Sequence, residues 1–255
     1  MVSNRTYKDS VFCMLFNEPG KLRELYNALH GTSYGSETPV SINTLRDVLY
    51  AGRRNDISFS LRGRNVVLFE HQSSANPNMA LRFLPYICGV YEKLIPPKGV
   101  FQASPLVLPR PEFIVFYNGT RPLPDKSTQR LSAAYPEDPG AGPPALELAV
   151  TVYNINAGHN PGLLGAVGDL RDYALFVAKV REFEKTRGRE EAFGLAIRHC
   201  IGHNILREFL LEHAREVISM FADITLEEFI DLRVEEGVEL GLKEAVGKVV
   251  DKAVE

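Results

Sequence analysis

Apolar positions in this chain follow a helical rhythm at both ends and a strand rhythm in the middle. Residues 9–16 and 20–30 repeat apolar side chains at helical spacing. In the second stretch Leu22, Leu25, Tyr26 and Leu29 form one stripe, and Gly31 is placed to stop it. Residues 33–55 are mixed and predict loop with short elements. Asp56 to Phe59 and Val66 to Gln72 are rich in β-branched and aromatic residues, and Arg62-Gly63-Arg64 separates them, which predicts a hairpin. Asn76 suits an N-cap and Pro77 the first helical position of a helix over 78–94 that Pro96-Pro97 ends. Residues 113–118 and 146–154 read as strands, and the Pro- and Gly-rich 122–144 as a long surface loop.

After Gly168 only helices are predicted, over 170–185, 190–203 and 205–221. Stripes such as Leu170, Tyr173, Ala174 and Val177 are ordinary core faces. Thr225-Leu226-Glu227-Glu228 is a capping pattern that opens a final acidic helix. Its Gly237, Gly241 and Gly247 cost about 1 kcal/mol each relative to Ala, so it needs a partner over Val234, Val238 and Leu242. The order of elements predicts an α/β fold: a small mixed sheet flanked by helices, with a C-terminal helical region. The expected divisions are a core over 1–168, a helical region over 169–222 packed on it, and an acidic tail over 223–255. No GxGxxG follows a strand, so a dinucleotide-binding domain is excluded.

The hairpin carries the candidate chemistry. A three-residue loop centred on Gly63 pairs Asp56 with Glu70 across two antiparallel strands. Cross-strand partners stand roughly 4.5–5.5 Å apart at Cβ. Two carboxylates that close repel unless a cation lies between them, and a hard divalent ion with oxygen ligands answers that need. Strand alternation puts Gln72 on the face of Glu70, and Val67, Phe69 and His71 on the other.

Bulk properties narrow the field. The 255 residues are 45% hydrophobic, enough for one substantial core. No apolar run approaches the roughly 20 residues of a membrane-spanning helix, and Met1 to Lys8 lacks the apolar stretch of a signal peptide, so a cytoplasmic protein is expected. Cys13, Cys88 and Cys200 show no metal-ligand spacing and read as buried, reduced thiols. The net charge of −3 speaks against nucleic acid, but its distribution does not. Residues 1–111 hold 13 Lys and Arg against 8 Asp and Glu, a net +5, while the last 33 residues are strongly acidic. Arg53, Arg54, Arg62 and Arg64 surround the hairpin in sequence and could grip phosphates beside the carboxylates.

An Asp, thirteen residues, then Glu-x-Gln on a hairpin resembles the signature of PD-(D/E)XK nucleases. The wider strings Asn55 to Phe59, Phe69 to Ser74 and Asn78 to Tyr86 resemble the Rpn family, the recombination-promoting nucleases also labelled transposases. So do Val115 to Gly119, Leu148 to Asn156, Arg207 to Leu210 and Glu235-Glu236-Gly237. The resemblance implies a magnesium-dependent DNA endonuclease, with Mn²⁺ as a substitute. It implies that Asp56 and Glu70 hold the metal with the backbone carbonyl of His71, and that Gln72 occupies the position of the motif Lys. Glu24, or in its place Glu18, matches an additional helical Glu. Gln72 orients water but brings no charge. Arg82 and Tyr86, one turn apart, either face the site and contact phosphate or cap their helix against the sheet. By analogy with nucleases that cut both strands, the C-terminal helices make a homodimer.

Two other classes compete. Gly31-Thr32-Ser33-Tyr34-Gly35 matches the GxSxG elbow of serine hydrolases, which needs a strand before it and a helix after; the pattern here predicts a helix before it. The other is a catalytically weak or inactive nuclease fold that binds DNA or protein, which Gln72 and the acidic tail favour.

Overall fold

The computed structural model describes residues 6–43, 56–137, 140 and 142–213. In chain order these form α1 (Thr6–Phe16), α2 (Pro19–His30), β1 (Val40–Ile42), β2 (Ile57–Leu61), β3 (Asn65–Gln72), α3 (Met79–Leu94), β4 (Arg110–Tyr117), β5 (Lys126–Arg130), β6 (Ala149–Asn154), α4 (Pro161–Ala166), α5 (Gly168–Phe183), α6 (Arg189–Gly202) and α7 (Arg207–Glu212). The chain divides into two compact units, one of Lys8–Val167 and one that begins at Gly168 and takes in the first residues. The α/β class read from the sequence is the class observed: a mixed sheet with helices on both faces.

The sheet runs β1-β2-β3-β4-β6-β5. Hairpin β2–β3 is antiparallel and β5 is antiparallel to β6, while β3, β4 and β6 are parallel. The turn joining β2 to β3 is tight. Arg64 N–H donates to Leu61 O at 3.1 Å, and Arg62 (φ 54°) and Gly63 (φ 63°) are both left-handed. Such a turn matches the twist of the strands, and Gly takes that conformation without penalty. Its partners run Leu61↔Asn65 to Ile57↔Phe69, and the next step outward sets Asp56 opposite Glu70, as the loop length predicts.

Alternation along β3 supplies both sides of the core. Val66 and Leu68 pack with Phe83, Tyr86, Ile87 and Val90 of α3 on one face. On the other, the His71 ring stacks on Phe12 of α1 at 5.1 Å, and Phe69 meets Phe116 edge-on at 5.1 Å. The apolar side chains of these layers are almost wholly buried, each worth roughly 1.5–3 kcal/mol. Pro85 lies inside α3 and cannot donate to the Leu81 carbonyl. Leu81 is exposed, so water can serve that oxygen.

Several expectations need correction. The loop expected over 122–144 contains strand β5, which pairs with β6 through Lys126↔Tyr153 to Arg130↔Ala149. The N-cap of α3 is Asn78; Asn76 Oδ1 instead accepts the Asn78 N–H at 2.9 Å, and Pro77 lies in that turn. The three cysteines are free but not uniformly buried: Cys200 is, Cys88 is exposed and Cys13 is intermediate. The GxSxG match follows helix α2 and precedes β1, with Gly31 as a left-handed C-cap (φ 63°). In the second unit, α5, α6 and α7 start within three residues of the helices expected there. The acidic tail over 223–255, the Thr225 capping pattern and the apolar stripe offered for dimerisation lie outside the described residues. Among the described residues no helix is long and apolar enough to cross a membrane.

Candidate active site

The C-terminal ends of the parallel strands form one edge, the edge where open α/β sheets place their ligands. Asn118 N–H donates to Gln72 O at 2.9 Å, and Ile155 N–H to Tyr117 O at 2.8 Å, which levels the ends of β3, β4 and β6. Behind this edge Tyr117 folds back so that its hydroxyl donates to Arg121 O at 2.8 Å. A Cβ on Gly119 would stand 2.3 Å from that hydroxyl, so a larger residue there would have to push the Tyr117 side chain aside.

Glu70 reaches this edge with no exposed surface. Its Oε2 is 2.9 Å from Arg82 Nη2 and accepts the Gln72 amide at 3.3 Å. Arg82 in turn donates from Nε to Tyr86 Oη at 3.3 Å. Asp56, just before β2, accepts the His71 backbone N–H on Oδ2 at 2.6 Å. That bond fastens the end of β2 to β3 beyond the last ladder pair. The sequence therefore brings five side chains to one place: Asp56 and Glu70 by hairpin register, Gln72 by alternation, and Arg82 and Tyr86 from the returning helix.

The electrostatics follow from this crowding. Burial works against the Arg82 guanidinium, but Glu70, then Tyr86 and Asp56, outweigh it and hold the group above its ordinary value. Burial, then Glu70, pushes the Tyr86 hydroxyl up; Asp56 adds to this and Arg82 opposes it. Both acids thus act on the same two groups. A buried carboxylate is costly unless paired, and Glu70 pairs with Arg82.

The other residues expected here lie elsewhere. Arg62 and Arg64 are exposed in the hairpin turn, and six residues of strand put Arg64 about 20 Å from Glu70. They are close to the carboxylates in sequence only, because an antiparallel hairpin sends its turn to the opposite end. Arg62 stands over the Tyr34 ring at 5.7 Å. Arg53 and Arg54 lie outside the described residues. The His71 side chain is buried on the far face, so its contribution to the edge is through the backbone alone. Glu24 is exposed in a cavity of about 490 Å³ that Arg23, Asn27, Thr32 and Tyr34 also line. Its helix is tied to the turn end of the sheet: Arg23 Nη1 donates to Thr38 O at 3.4 Å and Tyr26 shares a hydrogen bond with Asn65. Glu18, the competing acid, is exposed at the N-cap of α2, 3.9 Å from Lys21.

One supporting residue escaped sequence reading. Gln129, on β5, accepts the Met79 N–H at 3.2 Å and donates to Asn76 O at 2.9 Å. It closes the first turn of the helix that carries Arg82 and Tyr86. No local pattern marks it, since its partners are 50 and 53 residues away.

Neither the curated proteins nor the solved structures contain a match to this chain. The stretch that holds Asp56, Glu70, Gln72, Arg82 and Tyr86 does have a counterpart: residues 48–137 match the family described as "Putative transposase, YhgA-like", and it is to that family that the chain is similar.

Proposed function

We propose that this protein is a metal-dependent DNA endonuclease that hydrolyses phosphodiester bonds, with Asp56, Glu70 and Gln72 at its centre. The observation that carries this reading is the register that sets Asp56 opposite Glu70 at a sheet edge, where both acids act on the Arg82 guanidinium. Two carboxylates set opposite each other repel, and a divalent cation with oxygen ligands relieves that repulsion. The donors around it are hard oxygens: the Asp56 and Glu70 carboxylates and the His71 carbonyl. In an extended strand the carbonyl points to the same side as its own N–H, which here faces Asp56. This set fits Mg²⁺, or Mn²⁺ in its place. A bound ion of this kind supplies an acidified water and offsets charge on the scissile phosphate.

The side chains divide the remaining work. Gln72 holds Glu70 and offers its amide to orient the attacking water. Arg82 is one-third exposed, so it can exchange part of its hold on Glu70 for a phosphate oxygen of the substrate. Tyr86 supports Arg82 from behind. DNA as the substrate rests on the family similarity of this segment.

Supercoiled plasmid tests the proposal. The wild type should nick it with Mg²⁺ or Mn²⁺ and not with EDTA, Glu70→Ala should not nick it, and Gln72→Lys should keep or raise the rate. A second reading, a binding module on an inactive nuclease fold, is favoured by Gln72 standing where the motif has Lys. It is also favoured by the lack, among the described residues, of any group of three His, Cys, Asp or Glu able to hold a metal. Plasmid that is bound and stays uncut in both metals would sink the first reading and establish the second.

A further inference from the structure

The turn end of the sheet carries a second set of polar groups, arranged around the cavity on α2. Gly20, Glu24, Asn27 and Ala28 follow helical spacing and share one face of that helix, and this face opens on the cavity of about 490 Å³. A Cβ on Gly20 would meet nothing within 4 Å, so its missing side chain is part of the space. Asn27 fixes the opposite wall. Its Oδ1 accepts the Thr32 hydroxyl at 2.8 Å and the Tyr34 N–H at 2.9 Å, and its Nδ2 donates to the Tyr34 carbonyl at 3.0 Å. Left-handed Gly31 turns the chain so that this loop comes back to its own helix.

The groups around the cavity divide into acceptors and donors. Glu24 is exposed there and has no ion-pair partner among the described residues. Thr32 gives its proton to Asn27, so toward a ligand its oxygen only accepts. Arg23 uses one N–H on Thr38 O at 3.4 Å and brings the rest of its guanidinium and a positive charge. Tyr34 adds an aromatic side chain, with the Arg62 guanidinium 5.7 Å from its ring centroid. This set asks for a ligand with neighbouring N–H donors at one end and an anion at the other. A free amino acid has both but would leave most of the space to water, whereas sites of roughly 300–1,000 Å³ suit cofactor-sized molecules. Among the nucleobases, guanine sets two N–H groups side by side on its base-pairing edge, which matches one carboxylate. Adenine and cytosine set a ring lone pair beside their amino group, and uracil flanks its N–H with carbonyls; each brings a lone pair against Glu24.

We propose that this cavity binds a guanine nucleotide. Glu24 accepts from the edge of the base, and Arg23 holds the phosphate, with Arg62 adding positive charge beside Tyr34. The inference goes beyond the nuclease reading and does not depend on it, since no residue of the cavity belongs to the Glu70 edge. A free guanosine phosphate and a guanine within a single strand share this chemistry, and the measurement separates them.

The test is a calorimetric titration of 5′-GMP into the full chain in EDTA, with circular dichroism to show that each variant is folded. The wild type should bind one equivalent with a Kd on the order of 10 μM. Replacing 5′-GMP by guanosine or by 5′-AMP, or Glu24 by Gln, should each weaken binding about tenfold or more. Gly20→Leu should abolish binding by filling the cavity without lowering Tm, since Leu suits a helix better than Gly. Displacement of 5′-GMP by the single strand d(TTGTT) assigns the site to a strand, and its absence to the free nucleotide; both uphold a guanine site. Absence of binding at about 1 mM 5′-GMP, equal affinity for 5′-AMP, or unchanged binding by Gly20→Leu would overturn the proposal. Because EDTA removes cleavage from this measurement, a failed plasmid assay leaves its outcome untouched.

Discussion

The two ends of β3 each hold a carboxylate, fully buried Glu70 at one and half-buried Glu112 of the neighbouring β4 at the other, and treat it in different ways. At the Asn65 end, Glu112 accepts hydrogen bonds from Tyr26 and Asn65, both 3.1 Å, and lies 2.8 Å from His30. Burial, then Glu112, pushes the Tyr26 hydroxyl up to about 12, so it stays a donor across the working range of pH. Glu112 there has two neutral donors and an imidazole, and Arg110 acts on it as well. At the Glu70 end, Glu70 and Asp56 both act on the Arg82 guanidinium. A carboxylate already surrounded by donors is a strut that ties α2 to the sheet. Two carboxylates set opposite each other offer oxygen ligands to a divalent cation. What distinguishes them is the second acid: Asp56 stands opposite Glu70, whereas Glu112 stands among donors.

That contrast can be broken experimentally, and the largest effect should come from Glu70. Glu70→Ala is expected to lower plasmid cleavage about 10³-fold, roughly 4 kcal/mol of transition-state stabilisation, whereas Glu112→Gln should leave the rate within a factor of a few. Equal losses in the two variants would erase the distinction.

Next comes Arg82→Met, which removes the guanidinium that fully buried Glu70 pairs with. Removing one partner of a buried pair costs about 3–5 kcal/mol; because Arg82 is one-third exposed, about 2–4 kcal/mol is expected in denaturant melts. Added Mg²⁺ should recover part of it by taking the place of the lost charge. No recovery would speak against a cation at the carboxylates.

A smaller effect is expected from pH at the other end. Burial raises Glu112, but the His30 hydrogen bond and charge, then Tyr26 and Arg110, lower it further, so the net displacement is below the usual 4.5. A depressed carboxyl stabilises the fold above its unfolded value and loses that contribution as pH falls through the folded one. Wild type and Glu112→Gln should therefore differ by about 1 kcal/mol above pH 5 or so, and the gap in Tm should close below 4.5. The smallest change is Gln129→Ala, which removes the bond closing the first turn of α3. It should cost about 1 kcal/mol and slow cleavage a few-fold by loosening Arg82, with no change in the pH behaviour of Glu112.

Much of the candidate site was legible because strand register is arithmetic. Once Gly63 centres the loop, a period of two fixes Asp56, Glu70 and Gln72, and the returning helix brings Arg82 within reach. What local spacing could not supply was distance along the strand, so Arg62 and Arg64 were set beside carboxylates that lie at the opposite end. β5 was missed because an exposed edge strand such as Lys126-Ser127-Thr128-Gln129-Arg130 has no apolar beat to hear. α4 has only six residues, yet Asn160-Pro161 was a usable start signal for it. The Glu112 cluster gathers residues from α2, β3 and β4, and no spacing in the chain announces it.

His71 has a consequence beyond its own contacts. Its ring is clamped beneath α1 while its amide proton holds Asp56, so one residue locks the sheet from the rear and the acid at the rim. A shift of β3 by a single residue would thrust an imidazole toward α3 and strand Glu70 among phenyl rings. The chain is therefore denied a half-built centre: either the rim assembles whole, or the molecule does not fold around it.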